Sequence, residues 1–213
     1  MKISLAIMAH PARKQQAEFL FMQIRRYPFA GLQIVYDEDR VEWHTGKRAI
    51  EAGICHGDWH VVIQDDAILT PDFYENIENA IKALPIKTLF SLYTGTARPL
   101  ARRVKEAVEK ASDGEWLKAN QLFWGVGIAI PTDQIEPMLE FVEDIDLQYD
   151  NKIGEFYCRN NIPVYYTMPS LVNHNDALGS LLPGHGKQFN DEPRIAHKLA
   201  TGRVKWTQKA RFI

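Results

Sequence analysis

The sequence predicts a single α/β domain on a mixed, mainly parallel sheet, followed by an irregular basic tail. Three observations predict it. Strand-like and helix-like segments alternate across the first half, as in parallel βαβ units. The runs Ile3-Ser4-Leu5-Ala6-Ile7-Met8-Ala9 and Trp59-His60-Val61-Val62-Ile63 are nearly continuous in apolar residues, as strands buried on both faces are. With 213 residues, 46% hydrophobic and 24% charged, the chain can bury a core without metal or disulfide staples.

The first strand is closed by Pro11. Ala17, Phe19, Leu20, Phe21 and Ile24 then recur mainly at helical spacing over residues 13–26. A second strand covers residues 32–36 and ends at Asp37-Glu38-Asp39; a helix over residues 45–55 stops near Gly57. The third strand ends abruptly at Gln64-Asp65-Asp66, and Pro71 suits the first turn of a helix reaching Leu84. Residues 87–93 read as a fourth strand and 100–110 as a basic helix. Residues 123–130 form a strand broken by Gly125 and Gly127, helices follow near 132–143 and 150–160, and residues 163–167 form a last strand. From Ser170 the chain reads as loop. The domain therefore covers residues 1–176, with residues 177–213 a loop and basic tail packed on it.

Composition excludes several functions. The formal charge of −2 removes any global argument for binding nucleic acid. Two cysteines far apart, Cys55 and Cys158, make no disulfide framework and point to a reducing compartment. The seven-residue apolar start is short for a signal peptide and far below the roughly 20 residues of a membrane span, so a soluble, cytoplasmic protein is expected. Cys55, His56 and His60 lack a second ligand pair at finger-like spacing, and Cys158 is expected to be packed.

In open α/β sheets ligands bind beyond the carboxyl ends of the strands. His10, Asp37 and Asp65-Asp66 all follow strands. Adjacent carboxylates repel unless a cation neutralises them, and a hard divalent ion suits them. A turn in which one Asp caps the following helix is the competing reading.

Four features, in order, carry a family resemblance: His10-Pro11-Ala12-Arg13, Gln64-Asp65-Asp66, Phe123-Trp124-Gly125-Val126-Gly127, and Pro169-Ser170-Leu171-Val172-Asn173-His174. Together they resemble the GT-A fold glycosyltransferases, including the small lipopolysaccharide-type and phage-type enzymes, over residues 3–176. The resemblance implies a GT-A-like (Rossmann-like) domain that uses a nucleotide-sugar donor and Mn²⁺ or Mg²⁺. It implies Asp66 as direct metal ligand, Asp65 touching the ribose or the metal through water, and His174 as a further ligand. His10, Pro11 and Arg13 would line the donor pocket, Asp37 would contact the base, and Arg48 would face the diphosphate. Gln64 departs from the acidic first position of the family's motif and lowers the ligand charge.

On the acceptor side, Trp124 offers an aromatic plane beside the bare backbone of Gly125. A bulged strand with a core tryptophan is the alternative. A general base is needed to take the acceptor proton, and Asp150 is the candidate, with Glu155 as fallback; a helix cap is the alternative for Asp150.

Residues 194–213 carry six basic and no acidic side chains, and Arg98, Arg102, Arg103 and Lys105 form a second cluster. Such patches attract polyanions. The acceptor is therefore expected to be a glycan or a hydroxymethylated base in phage DNA, the latter extruded from the duplex. Two rival functions remain: a nucleotidyltransferase, which would release pyrophosphate, and a non-catalytic nucleotide- or DNA-binding module, which Gln64 favours.

Overall fold

A computed structural model describes residues 1–96, 101–179, 181 and 193–213. Its strands are β1 (Ile3–Ala9), β2 (Leu32–Tyr36), β3 (Trp59–Gln64), β4 (Ala67–Leu69), β5 (Phe90–Ser91), β6 (Glu115–Ala119), β7 (Gly127–Pro131), β8 (Val164–Met168), β9 (Val172–His174) and β10 (Ala210–Phe212). Its helices are α1 (Lys14–Ile24), α2 (Glu42–Glu51), α3 (Phe73–Ala83), α4 (Ala101–Lys110), α5 (Ile135–Val142) and α6 (Tyr149–Arg159).

Eight strands form one sheet in the order β10-β6-β8-β5-β7-β3-β1-β2, and β4 pairs with β9 in a separate antiparallel ribbon. β1 is parallel to both β2 and β3, β5 to β8, and β10 to β6; β7 runs antiparallel to β3 and β5, and β6 to β8. The fold is thus α/β with a mixed, mainly parallel sheet, as expected. All seven residues of β1 are buried, which is why its apolar run does not alternate. From β1 the chain crosses to β2 on one side and later to β3 on the other, so the carboxyl ends of β1 and β3 flank the switch point where open α/β sheets hold ligands.

Several expected elements differ. The expected strand over 87–93 pairs only at Phe90–Ser91. Ser91 Oγ there lies 2.9–3.3 Å from the carbonyls of Tyr93, Trp124 and Gly127. The strand expected over 123–130 begins only at Gly127. β6 escapes the sequence pattern because Glu115 and Lys118 interrupt its apolar residues; its partners β8 and β10 are remote in sequence. Cys158 is exposed, not packed, as is Cys55. Arg98 and Leu100 lie outside the described residues.

Residues 193–213 of the tail carry regular structure where loop was expected. β10 adds the eighth strand, Trp206 lies on Trp116 with ring centroids 5.0 Å apart, and Ala200 and Ile213 are buried in the common core. Its cations face acids of the domain: Arg194 meets Asp176 at 3.2 Å, Lys198 meets Asp113, Arg203 meets Asp72 at 3.7 Å, and Arg211 meets Glu115 at 2.8 Å. Among the described residues, no helix is long and apolar enough to cross a membrane.

Candidate active site

A cavity of about 490 Å³ opens at the switch point. Its lining includes His10, Arg13, Asp37, Asp65, Asp66 and His174, and also Trp124, Gly125, Tyr149 and Asp150.

The strand ends place the acidic pair. Asp65 N–H donates to the Met8 carbonyl at 3.0 Å and His10 N–H donates to Asp65 Oδ2 at 2.7 Å, so the turn after β3 is tied to the end of β1. Asp66 precedes β4, whose register sets Ala67 opposite His174 of β9. The imidazole Nε2 of His174 therefore lies 3.4 Å from Asp66 Oδ2, although 108 positions separate the two residues. Neither Asp caps α3; its cap position is Asp72.

Arg13 ends a short 3-10 turn begun by Pro11 and capped by His10 Nδ1, which accepts from Ala12 N–H. Its Nη1 donates to Asp65 Oδ1 at 2.9 Å and to Asp66 Oδ2 at 2.8 Å, while Nη2 donates to the Gly179 carbonyl. Burial disfavours the Arg13 charge, but the two carboxylates outweigh it and raise its pKa. Burial raises the Asp65 carboxyl, and the His10 N–H and Arg13 only partly offset this. Burial acts likewise on Asp66, yet His174 and Arg13 prevail and hold its carboxyl below the ordinary value.

The two carboxylates supply the oxygen donors that a hard divalent ion takes, and the imidazole adds a nitrogen donor of the kind transition metals accept. Asp66 Oδ1 is buried without a hydrogen-bond partner among the described residues, an orphan that a cation would satisfy. With the side chains as they stand, no group of three His, Cys, Asp or Glu is poised around one point among the described residues. Arg13 is the cation at the pair.

Asp37 reaches the same wall from the end of β2, 3.9 Å from His10 Nε2. Its Oδ1 accepts from Thr45 Oγ1 at 3.1 Å and from Arg40 N–H at 3.0 Å, which holds the loop into α2. Asp150 stands in the first turn of α6, where the helix dipole favours a carboxylate; Gln148, not Asp150, is the cap residue.

Four expectations need correcting. Arg48 does not line the cavity; Nη2 donates to the Tyr36 carbonyl at 2.7 Å and Nη1 pairs with Glu38, so it ties α2 to the end of β2. Pro11 also lies off the cavity wall and starts the turn that carries Arg13. Glu155 is on another face of α6 and pairs with Arg159. Gly125 lines the cavity, but its missing side chain admits a neighbour from the same chain: a Cβ there would fall 2.8 Å from the Tyr149 ring.

Trp124 is only 7% exposed, with its ring edge-to-face against Tyr93, Tyr166 and Phe123. It presents a margin, not an open face. His60 is structural, 2.8 Å from both Ser4 Oγ and the Ala49 carbonyl. Sequence reasoning missed Tyr149 and placed Arg194 only in the basic tail, whereas both line the cavity. Apart from the tail's positive charge, no local signal marks Arg194. The chain matches no family model and no curated protein sequence, and the functional reading rests on these residues.

Proposed function

We propose that the protein is a GT-A-like glycosyltransferase that moves a sugar from a nucleotide-sugar donor to an acceptor hydroxyl. One observation carries this reading. One cavity at the β1/β3 switch point is lined by Asp65, Asp66 and His174 and also by Asp150, with room for a nucleotide-sized ligand.

Asp66, whose buried Oδ1 has no hydrogen-bond partner among the described residues, together with His174 and Asp65, would hold Mn²⁺ or Mg²⁺. The chemistry such an ion supplies is Lewis-acid stabilisation of charge on a departing nucleoside diphosphate. The remaining steps belong to the chain. His10 and Asp37 border the donor beside the strand ends, and Arg13 and Arg194 bring positive charge to the cavity. Asp150 accepts the acceptor hydroxyl proton as that oxygen bonds to the anomeric carbon and the bond to the diphosphate breaks. Tyr149, buried and wedged beside Gly125, fixes the first turn of α6 and so the Asp150 carboxylate.

A glycan hydroxyl suits the acceptor better than duplex DNA does. Polyanion binding needs cations free to release counterions, and four of the six in the tail already face acids of the domain.

A thermal-shift screen of nucleoside diphosphates and nucleotide-sugars, each with and without Mn²⁺, tests the function. A ligand that binds only the folded state raises the melting temperature by mass action. A metal-dependent rise with one nucleotide-sugar is expected and would name the donor. No rise with any donor, together with a rise on adding DNA, would replace the transferase by a nucleic-acid-binding module. Pyrophosphate release on turnover would instead identify a nucleotidyltransferase.

A further inference from the structure

We propose that Arg13 is a built-in counter-cation of the Asp65-Asp66 pair, and that a divalent ion gains the pair by displacing its guanidinium. The inference rests on the metal-dependent reading above and adds an intramolecular competitor to it.

Three features of the contact support displacement over permanent pairing. Arg13 spends one nitrogen, Nη1, on both carboxylates, at 2.9 and 2.8 Å. The stronger arrangement, two parallel bonds from the guanidinium fork to one carboxylate, is not made. The charge match is also incomplete: one guanidinium faces two carboxylates, whereas a dication would supply both positive charges. Last, the two acids are unequally served. Asp65 has Oδ1 on Arg13 and Oδ2 on the His10 N–H, while Asp66 Oδ1 is buried and unpartnered among the described residues. The arrangement as it stands leaves an oxygen that Arg13 does not satisfy.

Displacement also gives the guanidinium a destination. Arg13 lies on the wall of the cavity, and among the described residues its side chain is otherwise anchored by Nη2 on the Gly179 carbonyl. A diphosphate entering beside the ion offers the planar fork a better partner than the carboxylates it leaves. Arg13 thereby sets a threshold: the pair exchanges a resident monocation for a dication, and the freed arginine turns to the anionic ligand.

The test is calorimetric titration of Mn²⁺ into the full-length wild-type protein and into Arg13→Gln, Arg13→Met and Asp66→Asn, with folding checked by circular dichroism. Arg13→Gln is expected to bind Mn²⁺ at least about tenfold tighter than wild type, since a competitor is removed. Asp66→Asn should lose binding. If Arg13→Gln does not fold, Arg13→Met, which also removes the charge, decides by the same criterion. Equal or weaker binding by the folded Arg13 variant overturns the counter-cation role. If wild type still binds Mn²⁺ through Asp66 in that case, the metal reading survives. If neither wild type nor the Arg13 variants bind Mn²⁺, the metal reading falls and the competition with it.

Discussion

The Tyr149 ring occupies space left by two glycines, and that space can be probed by a sign reversal. A Cβ on Gly46, within α2, would fall 2.3 and 2.5 Å from Tyr149 Cδ2 and Cε2, far inside contact distance. Tyr149 is 1% exposed and cannot swing aside into solvent. Gly46→Ala therefore meets two opposing effects. Alanine favours the helix over glycine by about 1 kcal/mol, while overpacking a filled core costs about 1–3 kcal/mol. Overlap this deep belongs at the upper end, so a net loss of about 1–2 kcal/mol is expected.

In a Tyr149→Ala background the obstruction is gone. The same Gly46→Ala change should then stabilise by about 1 kcal/mol, with the single Tyr149→Ala costing about 3–5 kcal/mol as a large-to-small core substitution. Urea denaturation of the four proteins in the cycle measures this, because neighbouring sites couple. Refutation is simple: Gly46→Ala equally destabilising in both backgrounds, or stabilising in the wild type, removes the wedge.

Further expectations concern the site, the core and the tail. Asp66→Ala should abolish any Mn²⁺-linked thermal shift by nucleotide-sugar, and Asp150→Asn should stop transfer while leaving donor affinity in place; wild-type turnover in Asp150→Asn would remove it as base. Buried His60 is held at about 4 instead of 6.5, first by desolvation, so between these values the unfolded chain takes a proton that the folded one refuses. Stability should be full above pH 6.5 and fall by roughly 3 kcal/mol towards pH 4, a slope that His60→Gln should flatten in urea melts across that range. Trp206→Ala, which removes the ring lying on Trp116, should cost about 2 kcal/mol, and an unchanged denaturation midpoint would show that the tail contributes no packing there.

Where a short segment carried both its pattern and its boundary, the sequence was legible. β1 and β3 are apolar runs cut by Pro11 and by Asp65-Asp66, and the acids at their ends do line a cavity. His174 was reached only through the motif resemblance; its position is set by the β4–β9 register, which no local pattern reveals. Helical phase explains two misses. Arg48 and Glu155 sit on helices beside the site, but their side chains leave from other faces. Gly125 was misread because a glycine signals close approach without saying whose atoms approach; here they belong to Tyr149, 24 positions later. β6 and β10 were missed because each becomes a strand through partners far away in sequence.

The tail's basic character has a structural cause that bears on the site. Exposed ion pairs such as Lys198–Asp113 and Arg203–Asp72 contribute little each. The tail is held mainly by backbone and apolar contacts: Ser170 N–H to the Lys198 carbonyl at 2.9 Å, Ala200 N–H to the Ser170 carbonyl at 3.0 Å, Trp206 on Trp116, and β10 against β6. The charges select a register, since sliding the strap would bring cations away from their acids. That register fixes Arg194 beside Asp176, two positions after His174, at the cavity rim. Ala196 N–H bonded to Asn173 Oδ1 at 2.8 Å locks the same segment to β9. The contacts of residues 194–196 with Asp176 and Asn173 therefore place the Arg194 charge next to the strand that carries His174.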